Sequence, residues 1–238
     1  MFFPGHISIA FIISYFIVRR FHLRDISLSL LMFFSILPDV DIVFRFLGID
    51  LGHRSITHSL IIATIVWGLV LIKYRKPSVM LYFFAYLSHI FIGDLVIGPL
   101  NLLYPFGQYF VSGVADFKTS EHLLIEAVLL IIMATIMFGQ YLRNRQVHSF
   151  PFEFTKLDSF FYPIVILALI ISLFFLLDQS QRELTQFPNS VYLLIKSPID
   201  FKITTILVMH AFGITIICFM WIVSRRNTQI QHVEKTPL

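Results

Sequence analysis

Long apolar runs alternate with short polar joints along the whole chain. Runs able to cross about 30 Å of hydrocarbon as helices lie at roughly 58–72, 79–97, 121–140, 160–177 and 203–223. Two shorter ones occupy about 2–18 and 26–37. Twelve helical residues rise only about 18 Å, so the 26–37 segment either begins earlier, near His22, or ends inside the bilayer. The pattern predicts an all-α, polytopic membrane helix bundle of about seven transmembrane helices. With no internal repeat and a polar stretch at 178–202 too short to fold alone, the expectation is one transmembrane domain over 1–223 and a polar cytoplasmic tail over 224–238.

Composition strengthens this picture. The 238 residues are 57% hydrophobic and 13% charged, with a mean hydropathy of +0.82. A soluble domain carries about a quarter charged residues, so a multi-pass protein of the cell membrane is expected, with no nucleic-acid partner. The first run has no basic residue before it and Arg19 and Arg20 after it, the reverse of a signal peptide, so it is expected to stay in the protein. Cys218 is the only cysteine, which leaves no internal disulfide and no thiolate metal site.

Charge then orients the bundle. One set of loop ends collects twelve Lys and Arg against four acids, a net +8; the other holds six basic residues and ten acids, a net −4, and the two give the chain's +4. Basic loops stay cytoplasmic, so the N-terminus is expected outside and the C-terminus in the cytoplasm. On that sorting His6, Asp39, Asp41, His53, His58, Asp94, Glu121, His122 and Glu126 all fall in the outer half, with His89 near mid-depth.

Ionisable groups at membrane depth cost at least a few kcal/mol each, so several that converge point to a cavity or an ion. Imidazole and carboxylate are the ligands expected for zinc, manganese or iron where thiolates are absent. In "LPDVD" Pro38 should end a helix near Leu37 and leave Asp39 and Asp41 on an irregular turn. In "HRSITHS" an offset of five turns His58 about 140° from His53 on an ideal helix. His53 is therefore placed in the loop and His58 in the first turn of the next helix, with Thr57 or Ser55 as cap. "SHIFIGD" repeats the offset at His89 and Asp94, with Gly93 as the place where the backbone relaxes; otherwise the two serve different ions. "EHLLIE" sets His122 and Glu126 four apart on one helical face, an additional metal pair.

Plainer roles stand beside these. His6 after "PG" also suits a helix start, Asp39 and Asp41 a solvated turn, and His53 and Arg54 lipid headgroup contacts. A buried His89 bonded to a carbonyl, and Glu121 balancing a helix dipole, need no ion. His210 reads as an inter-helix hydrogen bond.

Taken in order, "GH" at 5–6, "LPDVD" at 37–41, "HRSITHS" at 53–59 and "SHIFIGD" at 88–94 followed by "LLYPF" at 102–106 resemble the YdjM-like family of membrane-bound metal-dependent hydrolases. The resemblance covers about the first 106 residues. It carries over His6, Asp39, Asp41, His53, Arg54, Thr57, His58, His89 and Asp94. Ser55 stands where the family often has Gly, and Leu95, Val96 and Ile97 where it has a Thr. The family's distant similarity to zinc-dependent phospholipase C implies phosphoester hydrolysis.

The expected function is thus metal-dependent hydrolysis of a lipid or lipid-linked phosphoester on the non-cytoplasmic side. His6, Asp39, His58, His89 and Asp94 are the expected ligands of one or two divalent ions, zinc or manganese. Asp41 is a further ligand or the general base, Arg54 holds a substrate phosphate, and His53 is general acid or second ligand. A metal or proton transporter and a non-catalytic structural protein are the alternatives.

Overall fold

Proline and left-handed caps divide the N-terminal half into short helices. The computed structural model describes residues 2–23, 26–46, 49, 54–94, 100–106, 120–144, 152, 158–186 and 205–222. Helix α1 (Phe3–Phe21) opens with Pro4, whose fixed φ suits a first turn, and closes on Arg19 and Arg20, which oppose the helix dipole. It stops at His22, a left-handed residue (φ 50°) whose N–H donates to the Val18 carbonyl. Helix α2 (Leu28–Ile36) is capped by Ser27, whose Oγ accepts from the Leu30 N–H at 3.1 Å. Because α1 already ends at His22, the 26–37 segment gains no length there, and α2 is nine residues long. Pro38 then forces a 3-10 turn (Leu37–Asp39), and α3 (Val40–Phe46) restarts behind it.

Helix α4 (Leu60–Tyr74) ends on left-handed Arg75, and α5 (Pro77–Ser88) runs into a single π turn (His89–Asp94). Helices α6 (Ser120–Asn144), α7 (Asp158–Gln186) and α8 (Thr205–Ile222) complete the described residues, among which no strand occurs. Helix α7 extends nine residues beyond the expected end at 177, into the stretch read as a polar joint. The tail over 224–238 lies outside the described residues.

Helix α1 is the central element, packed by α2, α5, α6 and the π turn, while α2 also lies on α5 and α7. Its inner residues Ile7, Ala10, Phe11 and Val18 are all buried. The outer faces remain apolar: Ile65, Leu69 and Ile72 on α4, Leu124, Ile131 and Phe138 on α6, and Val208 and Ile222 on α8 are exposed. A bundle with an apolar exterior needs a lipid environment rather than water. Among the described residues two helices, Glu121–Leu142 and Thr205–Ile222, are long and apolar enough to cross a membrane; Leu60–Tyr74, Ser78–Asp94 and Asp158–Phe174 are shorter apolar helices.

One polar knot was not foreseen. Asp158, in the first turn of α7, is buried, and its Oδ1 accepts from Ser27 Oγ (2.9 Å), Ser29 N (3.0 Å) and Ser29 Oγ (2.6 Å). The Tyr82 hydroxyl accepts from the Ser27 N–H at 2.9 Å. The N–H groups that a helix start leaves without internal partners are thus satisfied by residues far along the chain.

Candidate metal centre

Four residues from three elements meet at the π turn. Asp39 ends the 3-10 turn, His58 precedes α4, and His89 and Asp94 occupy the two ends of the π turn. One ligand atom from each lies within 4.8 Å of all the others, and no member is more than 4% exposed. Asp39 Oδ1 is 3.5 Å from the Nε2 of both His58 and His89; Asp94 Oδ2 is 2.9 Å and 3.4 Å from the same atoms. A tetrahedron with bonds of about 2.0–2.2 Å has edges of roughly 3.3–3.6 Å. Most of these separations match, so the buried group could hold a metal ion.

The π turn makes this convergence possible. Its hydrogen bonds span five residues rather than four, so His89 and Asp94 stack on one face, where an α-helix would splay them. Gly93 is required for a second reason: a Cβ there would overlap the His6 ring. His6 stacks on His89 with ring centroids 3.6 Å apart and planes 11° apart. Its Nε2 approaches the opposite oxygens of the two carboxylates, Asp94 Oδ1 at 3.6 Å and Asp39 Oδ2 at 4.0 Å. Neither His6 nitrogen makes a hydrogen bond although the residue is buried, a cost that a cation would remove.

The imidazoles are aimed from behind. His89 Nδ1 donates to the Ser35 carbonyl at 2.7 Å, which leaves the Nε2 lone pair for a ligand role. Thr57 Oγ1 is 3.1 Å from His58 Nδ1, and the Tyr86 hydroxyl donates to the Thr57 carbonyl. Thr57 therefore orients His58 instead of capping α4. The cap is Ser59, whose Oγ accepts from Ile62 N, and His58 lies two residues ahead of the helix, not in its first turn. The "LLYPF" stretch pins the same turn: the Leu60 N–H donates to the Leu102 carbonyl (2.9 Å) and Ser59 Oγ to the Tyr104 carbonyl (2.7 Å).

Asp41 is buried and is not one of the four; its Oδ2 accepts from the Arg54 N–H at 3.3 Å. Arg54 itself is left-handed (φ 64°), strained for a residue with a Cβ. Its Nη2 comes within 3.6 Å of Asp94 Oδ1 while its side chain is 21% exposed, so the guanidinium reaches the group from outside. His53 lies outside the described residues.

His122 and Glu126 do share a helix face, 2.7 Å apart and buried, but in a separate cluster around Phe2. Glu121 is exposed in the first turn of α6. His210 Nδ1 donates to the Ile206 carbonyl (2.9 Å), and Ser172 Oγ on α7 lies 3.4 Å from its Nε2, the inter-helix bond expected of it. Ser35, Tyr86 and Asp158 escaped sequence reasoning: two act through backbone carbonyls, and Asp158 resembles any loop acid.

Fold and site together define a membrane-associated, all-helical protein with a buried carboxylate–imidazole group able to accept a cation. The family model of the YdjM inner membrane protein matches residues 1–223, and the chain belongs to that family. The match extends well past residue 106, where the motifs end. No curated protein and no solved structure matches the chain.

Proposed function

We propose that the chain is a membrane-embedded, metal-dependent hydrolase of a phosphoester in a lipid or lipid-linked substrate. The observation that carries this reading is the convergence of Asp39, His58, His89 and Asp94 within 4.8 Å inside an apolar bundle. Two buried carboxylates this close need a compensating positive charge, and nitrogen and oxygen donors at tetrahedral spacing favour zinc, with manganese as the alternative. The carboxylates also turn their other oxygens to His6, an arrangement suited to one ion or to a bridged pair.

A bound divalent cation supplies a water acidic enough to ionise near neutral pH and polarises a phosphoryl oxygen. The chain's own groups divide the remaining work. Arg54, half in the site and half outside it, presents a planar fork of donors to a phosphate. Asp41 acts as general base or further ligand, held by the Arg54 amide, and His53 as general acid or second ligand. In this reading the helices make seven crossings with the N-terminus outside, the tail in the cytoplasm and the site on the non-cytoplasmic side, where a lipid enters sideways.

Elemental analysis of detergent-purified protein beside Asp39→Ala and His89→Ala tests the site, and a lipid phosphoester panel on the same samples tests the reaction. Stoichiometric metal in the wild type, lost from both variants together with hydrolysis, is the expected result. Equal metal in all three would remove the site. Metal without cleavage would remove the reaction and leave cation transport, read in proteoliposomes, as the better account.

A further inference from the structure

The second buried cluster has no part in the chemistry above. Phe2, the residue before α1, has no side-chain cap of its own. Its N–H donates instead to Oε1 of Glu126 on α6, at 2.6 Å across 124 residues. The same oxygen lies 2.7 Å from His122 Nε2, and the His122 ring rests against the Phe2 ring at 5.3 Å. Glu126 is fully buried, and its other oxygen, Oε2, has no hydrogen-bond partner. That oxygen is pressed on Gly5, where an added Cβ would come within 2.9 Å of the carboxylate carbon and 3.1 Å of Oε2.

A buried carboxylate with one idle oxygen is costly, and a fold retains it where it does something apolar packing does not. Its position supplies the reason. A carboxylate at the start of α1 neutralises the dipole and one amide that the helix cannot satisfy. His6 is the next residue after Gly5, and its ring is wedged between His89 and Gly93. A helix rises 1.5 Å per residue, so a shift of the first turn by one residue moves His6 out of reach of the carboxylates.

We propose that Glu126, backed by His122, is a positioning residue: it latches the first turn of α1 and so sets His6 beside Asp39 and Asp94. Gly5 is the seat of the latch and Gly93 the seat of the imidazole. The inference rests on the metal reading for its consequence but not for the latch itself.

The full chain in detergent micelles supplies the test, with Co²⁺ as probe. Its visible spectrum reports the ligand set, and equilibrium dialysis reports affinity. Glu126→Ala is expected to weaken Co²⁺ binding about tenfold or more, as loss of an orienting partner does elsewhere, and to give the spectrum of His6→Ala. The pair Glu126→Ala and His6→Ala should then be no weaker than His6→Ala alone, while independent effects would add. Glu126→Gln, which keeps the amide-accepting oxygen, should recover most of the affinity. Gly5→Ala tests the seat without weakening the helix, because alanine is the better helix former; it should reproduce Glu126→Ala.

Hydrogen exchange on the metal-free protein separates the two readings. Faster exchange of the α1 first-turn amides in Glu126→Ala, with the rest of the bundle still protected, supports the latch even if the wild type takes no Co²⁺, an outcome that would remove only the metal site. Unchanged exchange, or additive losses in the double variant, overturns the latch.

Discussion

His89 Nε2 lies 3.4 Å from Asp94 Oδ2 although the two stand five positions apart along the chain. The π turn produces this meeting, and π turns are rare because their hydrogen bonds are less favourable than those of an α-helix. Here the irregular turn delivers two donors to one point, while Gly93 inside it admits a third imidazole.

Gly93→Ala should therefore injure the site more than its size suggests. The new methyl group meets the His6 ring, which must leave its place against His89. A loss of about 1–3 kcal/mol in unfolding free energy is expected from overpacking, with weaker metal binding. Denaturation in mixed micelles and dialysis against Zn²⁺ read the two effects, and wild-type values in both would show that the ring has room.

Removing the cation should loosen the whole bundle, because the donors come from α1, the turns before α3 and α4, and the π turn. Ligand that binds only the folded state adds about 2.7 kcal/mol at 100 times its dissociation constant. Chelation should lower the melting temperature by several degrees, and Zn²⁺ should restore it. A melting temperature indifferent to chelator would mean that these residues hold together without an ion.

Affinity should fall with pH. A metal ligand must be a neutral imidazole or an ionised carboxylate, so protons compete with the cation as pH falls. Two or more imidazole ligands titrating together give a slope steeper than about one log unit of affinity per pH unit. Competition dialysis from pH 5 to 8 measures it, and a slope of one or less would leave a single histidine in the ligand set.

Asp158 provides the contrast. Asp158→Ala strands the Ser29 amide in the interior, at a cost of about 1–3 kcal/mol for a buried group left unsatisfied, while the Ser27 and Ser29 hydroxyls, 3.3 Å apart, can still pair with each other. Stability should drop while metal content per folded molecule stays at the wild-type level. Loss of metal at the same rate as loss of fold would show that the site and the α2 cap are one unit.

Arg54→Lys keeps the charge and discards the fork. If Arg54 grips substrate phosphate, KM should rise about tenfold with kcat nearly unchanged, the mark of an interaction equal in ground and transition states. An equal fall in kcat and kcat/KM would instead place the guanidinium on charge that develops during reaction.

The sequence spoke clearly where chemistry is expensive. Acids and imidazoles in apolar runs are hard to place elsewhere, so His6, Asp39, His58, His89 and Asp94 could be read as a group before any coordinates. Pro38 marked the break at the end of α2, and Gly93 the irregularity before Asp94. Three features were not legible. The α4 cap lies at Ser59, in a turn pinned by bonds to Leu102, Tyr104 and Tyr86, a choice made by tertiary contacts. Asp158 reads as a solvated acid until its serines, more than a hundred residues away, are brought to it. His122 and Glu126 have the spacing of a metal pair, and the sequence does not record that Glu126 Oε1 also accepts from the Phe2 amide, a group that no side-chain motif includes.

The same long-range pairing has a bearing on biosynthesis. The Phe2 amide waits for Glu126, and the start of α2 waits for Asp158, 131 residues after Ser27. At roughly 5–20 residues per second, the ribosome needs roughly 7–26 s to deliver that last acid. A product truncated before Asp158 lacks the acceptor of the Ser29 amide, and faster cleavage by membrane proteases than that of the full chain is the expected consequence.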